Sequence, residues 1–443
     1  MIWTKDEARK LIERVLRYSK ADVCNVSLSS SEDSNTRYAN NEITTSGTSR
    51  NLSVSITATI EKRTGRVSVN ELTDEVLKKA VARAEEIARI APPDPEYQEP
   101  LGPQQYPEIN AYFEETARAR AADRLAGVRA VIEPATKQRL QSSGFFSNTA
   151  AASCFGNSRG NFGYHRSTQA NYSATVRTPD GTGSGWASAA APRINEIDTR
   201  RLAETAIRKA VDSRNPQPIE PGNYTVVLEP AAVNDLIPQI MGSFNARQAE
   251  QGFGFLTKRG GGTLLGDKVF SELVTIRSDP FDPRLPGTPW SGDGPLPSEK
   301  TVWVEKGVVR NLAYDRVWAK QAGRQPRARG NFIMDGGSQT LEDLIKSTKR
   351  GLLVTHFWYI RTVNPQTVQL TGLTRDGLFL IEDGKITKPV TNLRFNESPG
   401  QVLKNREAVS QAVRTGSGLE GGGSIVPALK AGNFYFSSIS DAV

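Results

Sequence analysis

NYTVVLEPAAVNDLIPQIMGSFNAR, residues 223–247, is the stretch that decides how this chain folds. Its opening, from Tyr224 through Leu228, is a short β-branched run of the kind that lies buried in a sheet. Glu229-Pro230 then starts a helix, because proline's fixed φ suits a first turn, where its missing N–H would have had no partner. Leu236, Ile237, Ile240 and Met241 recur at helical spacing, which predicts one buried face, while Pro238 kinks the segment or restarts it.

Downstream the chain reads mainly as strands. Residues 251–262 are glycine-rich but lack the Gly-Lys-Ser/Thr ending of a phosphate-cradling loop, so a mobile loop near a cleft is expected. Residues 269–276 read as a strand, and 278–284 as turns in which Asp279 and Asp282 begin Asp-Pro steps, a reading preferred to a metal or acid/base pair. A hairpin is expected over 302–314, a short helix over 341–347 and a strand over 352–360. A meander follows, with Asp383-Gly384 as a hairpin turn. The densest basic stretch, 316–329, carries Lys320, Arg324, Arg327 and Arg329 with one aromatic, Trp318; it reads as a solvated loop, with an anion or peptide contact as the alternative.

Upstream, Thr4 and Glu7 have capping-box spacing, and Ala8, Leu11, Ile12 and Val15 form the stripe of a first helix. Residues 23–29 and 51–61 alternate as strands. Tyr38 to Ile43 suggests two short strands around a turn served by Asn40 and Asn41. A second helix starts near 70–73, a third spans 113–132, and another spans 198–213. Residues 139–177, rich in Gly-Asn and Asn-Ser pairs, read as consecutive hairpins, with His165 as a surface or half-buried strand residue and Cys154 as a small buried one. Six prolines in 91–107 mark an extended surface linker, and 215–222 marks the main boundary.

The expected fold is therefore α+β, an N-terminal helix/antiparallel-sheet domain followed by a β-rich C-terminal domain. It divides into 1–90, the Pro-rich linker 91–107, a middle helix/hairpin subdomain 108–215, and 216–443.

The organising stretch, followed by GLLVTHFWYIRTVNPQT, GLFLIEDGKITKPVTNLRFNESP and GSGLEGGGSIVPALKAGNFYFSSI, resembles the TldD/TldE (PmbA, "modulator of DNA gyrase") family over nearly the whole chain. In zinc-bearing members the resemblance implies a His-Glu-x-x-x-His motif on the helix after the strand and a cysteine near the C-terminus. Here the histidine positions fall at about Pro238 and Ser243, the glutamate at about Gln239, and the cysteine near Leu419. Catalytic zinc needs nitrogen, sulfur or carboxylate ligands and a base beside its water, and these side chains supply neither. The expectation is a chain without metal or catalytic residues of its own. It would be the TldE/PmbA-like subunit beside a TldD-like zinc peptidase, with zinc in that partner and unfolded or leader peptides as substrate. His356, Tyr359 and Arg361 are the substrate-binding candidates, because their strand aligns with family segments bordering the cleft.

Composition bounds the alternatives. Cys24 and Cys154 stand far apart, supporting neither a disulfide framework nor a cysteine-rich metal knuckle, and a reducing cytoplasm fits. No run approaches the roughly 20 apolar residues of a membrane span, so a soluble protein is expected. A net charge of +8 raises nucleic acid as a partner, but no reader motif accompanies it. A homodimeric peptide-binding pseudo-protease is therefore the next alternative, and a basic gyrase modulator ranks last. Two isolated histidines without a G-x-S-x-G elbow argue against nucleophilic hydrolysis.

Overall fold

Thr4 caps the first helix, α1 (Lys5–Leu16): its hydroxyl accepts the Glu7 N–H at 3.3 Å while the Glu7 carboxylate accepts the Thr4 N–H at 2.9 Å. The computed structural model describes residues 2–291, 294–416 and 423–440. After α1 come β1 (Val23–Ala39), β2 (Glu42–Ile60), β3 (Arg63–Val69) and α2 (Asp74–Ile90), then α3 (Glu114–Ala117), α4 (Ala121–Lys137), β4 (Gln141–Asn157), β5 (Phe162–Arg177), β6 (Ser184–Ala191) and α5 (Thr199–Asp212).

Three expectations are corrected here. The two short strands around Tyr38 to Ile43 are the ends of long ones, 17 and 19 residues, joined by Asn40 and Asn41 at φ +51° and +64°. Serine and threonine on both faces hide their period. The consecutive hairpins of 139–177 are a single hairpin, β4 against β5. Of its glycines only Gly160, at φ +83°, turns the chain; within the strands a glycine makes room for a neighbour, as where a Cβ on Gly163 would lie 2.3 Å from the Phe155 ring. The third helix is two, α3 and α4, because the Asp123 carboxylate accepts the Arg120 N–H at 2.8 Å and begins a new helix.

Strand order is β3-β2-β1-β4-β5-β6, antiparallel throughout, so residues 1–90 and 108–215 pool their strands in one sheet. Val26, Leu28 and Tyr38 share one face of it. There α1 and α2 cover one half of the sheet, and α4 and α5 the other. The opposite face carries His165 on β5 and Ser184 and Trp186 on β6.

The second half contains β7 (Gly222–Leu228), α6 (Pro230–Leu236), a 3₁₀ segment (Ile237–Ser243), α7 (Ala246–Glu250), β8 (Ile276–Ser278), β9 (Thr301–Glu305), β10 (Val308–Val309), α8 (Arg316–Gln321), β11 (Ile333–Met334) and α9 (Leu341–Lys346). It ends with β12 (Arg350–Asn364), β13 (Gln369–Glu382), β14 (Lys385–Pro389), β15 (Leu393–Glu397), α10 (Pro399–Lys404), β16 (Arg406–Thr415) and β17 (Ser424–Ile439). The sequence β17-β15-β13-β12-β7 closes into a ring, because β7 pairs in parallel with β12 and antiparallel with β17. Val226 and Leu228 of the organising strand face its main core with Leu236, Ile237 and Ile240. As the prolines direct, α6 passes into a 3₁₀ turn at Ile237.

Two further corrections follow, with the contacts of the proline-rich linker beside them. The strand expected at 269–276 is only β8, since Phe270 and Val274 are buried from a loop. The basic 316–329 stretch opens as a helix, capped where Asp315 accepts the Trp318 N–H at 2.7 Å. The proline-rich linker is pinned to the second half: Glu96 takes two hydrogen bonds from Arg247, at 2.9 and 2.8 Å, and the Tyr106 hydroxyl donates to the Pro295 carbonyl. Among the described residues no helix is long and apolar enough to cross a membrane.

Candidate functional site

Several cavities lie where the polar face of the first sheet meets the second half, and two of them are lined by the histidines. The larger, about 800 Å³, is walled by His165 on β5, Trp290, and the 325–331 loop with Arg327 and Arg329; Arg414 of β16 reaches it as well. The smaller, about 470 Å³, is centred on His356 and Trp186.

A bulge builds the smaller site. The β12–β13 register shifts between Val354 and His356, where the Thr355 hydroxyl binds the carbonyls of Asp376 (3.1 Å) and Gly377 (2.9 Å), which lie at φ +56° and +117°. This turns Asp376 inward, so that its Oδ2 lies 2.9 Å from His356 Nε2. On the other side, Asp235 of α6 accepts the Phe357 N–H at 2.9 Å and lies 3.4 Å from His356 Nδ1. The first sheet completes the arrangement: Ser184 donates its hydroxyl to Asp376 Oδ1, and Trp186 stacks on the imidazole.

Burial pulls the His356 pKa down, but hydrogen bonds and charge from Asp235 and Asp376 outweigh it and raise it to about 9. Burial pushes the Asp376 carboxyl up, and the bonds and charges of His356, Ser184 and Arg375 more than reverse that, leaving it below its ordinary value. An imidazolium held between two carboxylates has both nitrogens occupied. Ser184 and Trp186 of β6, reaching Asp376 and the imidazole, join this node to the first sheet.

The candidate residues do not converge. His356 is buried in this node, whereas Tyr359 is 60% exposed at φ +54° and Arg361 lies over its ring at 4.2 Å, both on the outer half of β12 away from either cavity. Asp235, Asp376, Trp186 and Ser184 were missed. Asp235 reads as part of an amphipathic helix and Asp376 as one residue of a β-meander, and only long-range pairing brings them to His356. His165, expected at or near the surface, is 7% exposed, with its ring edge-on to Trp290 and its pKa lowered to about 4 by burial.

Zinc does not fit the residues at the motif positions. Pro238 has no donor, Gln239 is an exposed amide, and buried Ser243 donates its hydroxyl to the Ile240 carbonyl at 2.6 Å. Leu419 lies outside the described residues. Among those described, no three His, Cys, Asp or Glu side chains group to hold a metal.

Three family models match the chain: PmbA/TldA metallopeptidase domain 1 over 24–88, the central domain over 99–214 and the C-terminal domain over 221–438. The metalloprotease of Methanothermobacter thermautotrophicus is 26% identical over 249 residues, 52% of each protein, so the chain spans about half the length of that relative. Metalloprotease PmbA of Escherichia coli O157:H7 is 20% identical over 390 residues, 85% of this chain and 84% of that one. The crystal structure of TldE from Thermococcus kodakarensis has the same α+β fold, with a TM-score of 0.83 at 21% identity, covering 97% and 99% of the two chains.

Proposed function

We propose, on the premise that the chain belongs to the PmbA/TldD metallopeptidase family, that it is the TldE/PmbA-like subunit of a two-protein peptidase. On this reading it holds no zinc. It shapes a cleft for unfolded or leader peptides in the cytoplasm, and a TldD-like partner holds the metal and cuts.

The observation that carries this is the segment Ile237–Ser243. Packing takes Ile237 and Ile240, a backbone carbonyl takes the Ser243 hydroxyl, and Pro238 has nothing to offer a cation. Hydrolysis at that segment would need a metal ligand and a base, and the described side chains provide neither. Co-expression with a TldD-like protein, followed by sizing, metal analysis and peptide cleavage by the pair and by each chain alone, tests the assignment. Cleavage should require both chains.

A homodimer that binds peptides without cutting them is the second candidate. It is favoured by the outer half of β12, where Tyr359 and Val363 are exposed beyond the three rungs that pair with β7. Sizing of the chain alone separates the two. A nucleic-acid role draws less support, since Arg327 already pairs with Glu299 and Arg316 donates to the Glu99 carbonyl.

A further inference from the structure

We propose that the larger cleft binds its peptide through a carboxylate, an acidic side chain or a free C-terminus, held by the guanidinium of Arg329 with His165 as a second hydrogen-bonding group. This rests on the peptide-binding reading above and adds to it the chemical class of ligand.

Three guanidinium groups reach the cleft, and two are already neutralised: Arg327 pairs with Glu299 at 2.9 Å and Arg414 with Glu196 at 2.7 Å. Arg329 differs. Among the described residues it has no carboxylate partner; its Nη1 donates to the carbonyls of Met241 (2.8 Å) and Gly242 (3.2 Å). Two carbonyls orient the planar group without cancelling its charge, and Nε and Nη2 remain for an acceptor. That fork matches a carboxylate.

The wall contributed by the first sheet supplies an independent observation. His165 is buried, lines the same cavity, and its Nε2 has no partner among the described residues. An unpaired polar atom there is costly unless a ligand or water satisfies it. Trp290 stands edge-on to the ring, and burial keeps the imidazole neutral, so one tautomer can donate to an anion from Nε2. A net charge of +8 favours the approach of an acidic ligand.

The test uses fluorescent peptides of Gly, Ala and Ser in four forms, with an internal Glu or Gln and a free or amidated C-terminus, titrated against the chain. The carboxylate-bearing form should bind about tenfold more tightly than the fully neutral one, the scale of one charge-assisted hydrogen bond. The two single-carboxylate arms show which source is read. Arg329→Gln should abolish the preference and Arg329→Lys retain part of it, with circular dichroism unchanged in both. Equal binding of all four forms, or a preference that survives Arg329→Gln, overturns the proposal while leaving peptide binding standing. If no form binds at all, both fall.

Discussion

Trp186 and His356 lie ring on ring, 4.4 Å between centroids and 22° from parallel, although one belongs to β6 of the first sheet and the other to β12 of the second. The contact joins the two halves of the chain at a charged histidine. Its energetics should therefore be visible in how the whole molecule unfolds.

The first consequence is a pH dependence. The His356 pKa rises from 6.5 to about 9 on folding, so its stabilisation is complete below about pH 6.5 and is lost as pH rises through about 9. The Asp376 pKa is lowered from 3.8, so its stabilisation is present above that value and is lost as pH falls below it. Melting temperature should be highest between these limits and decline toward pH 9. In His356→Gln the alkaline decline should largely disappear.

Removing one member of the node should do more damage than removing all its charge. His356→Leu leaves Asp235 and Asp376 without the charge they share, with only the Phe357 N–H, the Ser184 hydroxyl and Arg375 beside them, and the cost should be about 3–5 kcal/mol in denaturant unfolding. Replacing all three by apolar residues of similar volume should recover much of that loss.

Arg406 is a buried cation in a different position. It is 4% exposed, none of its three side-chain nitrogens has a partner among the described residues, and burial lowers its pKa to about 9. Arg406→Met should raise stability at pH 7 by roughly 1–3 kcal/mol, by removing an uncompensated charge. Because the penalty is full below pH 9 and shrinks above it, the gap between variant and wild type should narrow in alkaline buffer.

The turn joining β1 and β2 offers a local test. Asn41, at φ +64°, accepts hydrogen bonds from the Ser142 N–H and hydroxyl, both at 2.7 Å, and donates to the Leu140 carbonyl at 2.8 Å. Asn41→Ala should cost about 1–2 kcal/mol in chemical denaturation. Asn40→Gly, which keeps the left-handed φ without losing such bonds, should be close to neutral.

These cases show what the sequence discloses and what it hides. The capping box at Thr4, the strand from Tyr224, the restart at Pro238 and the turn at Asn40-Asn41 depend on neighbours within a few residues, and each stands where local spacing puts it. The hairpin of β4 and β5 does not, because its strand glycines answer to distant neighbours, Gly163 to the Phe155 ring and Gly156 to Ile12. The histidine node is the extreme instance: Asp235, His356 and Asp376 come from three elements of the second half, and Ser184 joins them only when the two sheets meet. A lone histidine in an apolar strand gives no sign of two carboxylates waiting for it.

The most direct measurement is the zinc content of the purified chain alone, taken together with its peptidase activity. The isolated chain should hold no stoichiometric zinc and cleave nothing, with both appearing only when a TldD-like partner is added. One tightly held zinc per isolated chain, accompanied by peptide cleavage, would contradict it.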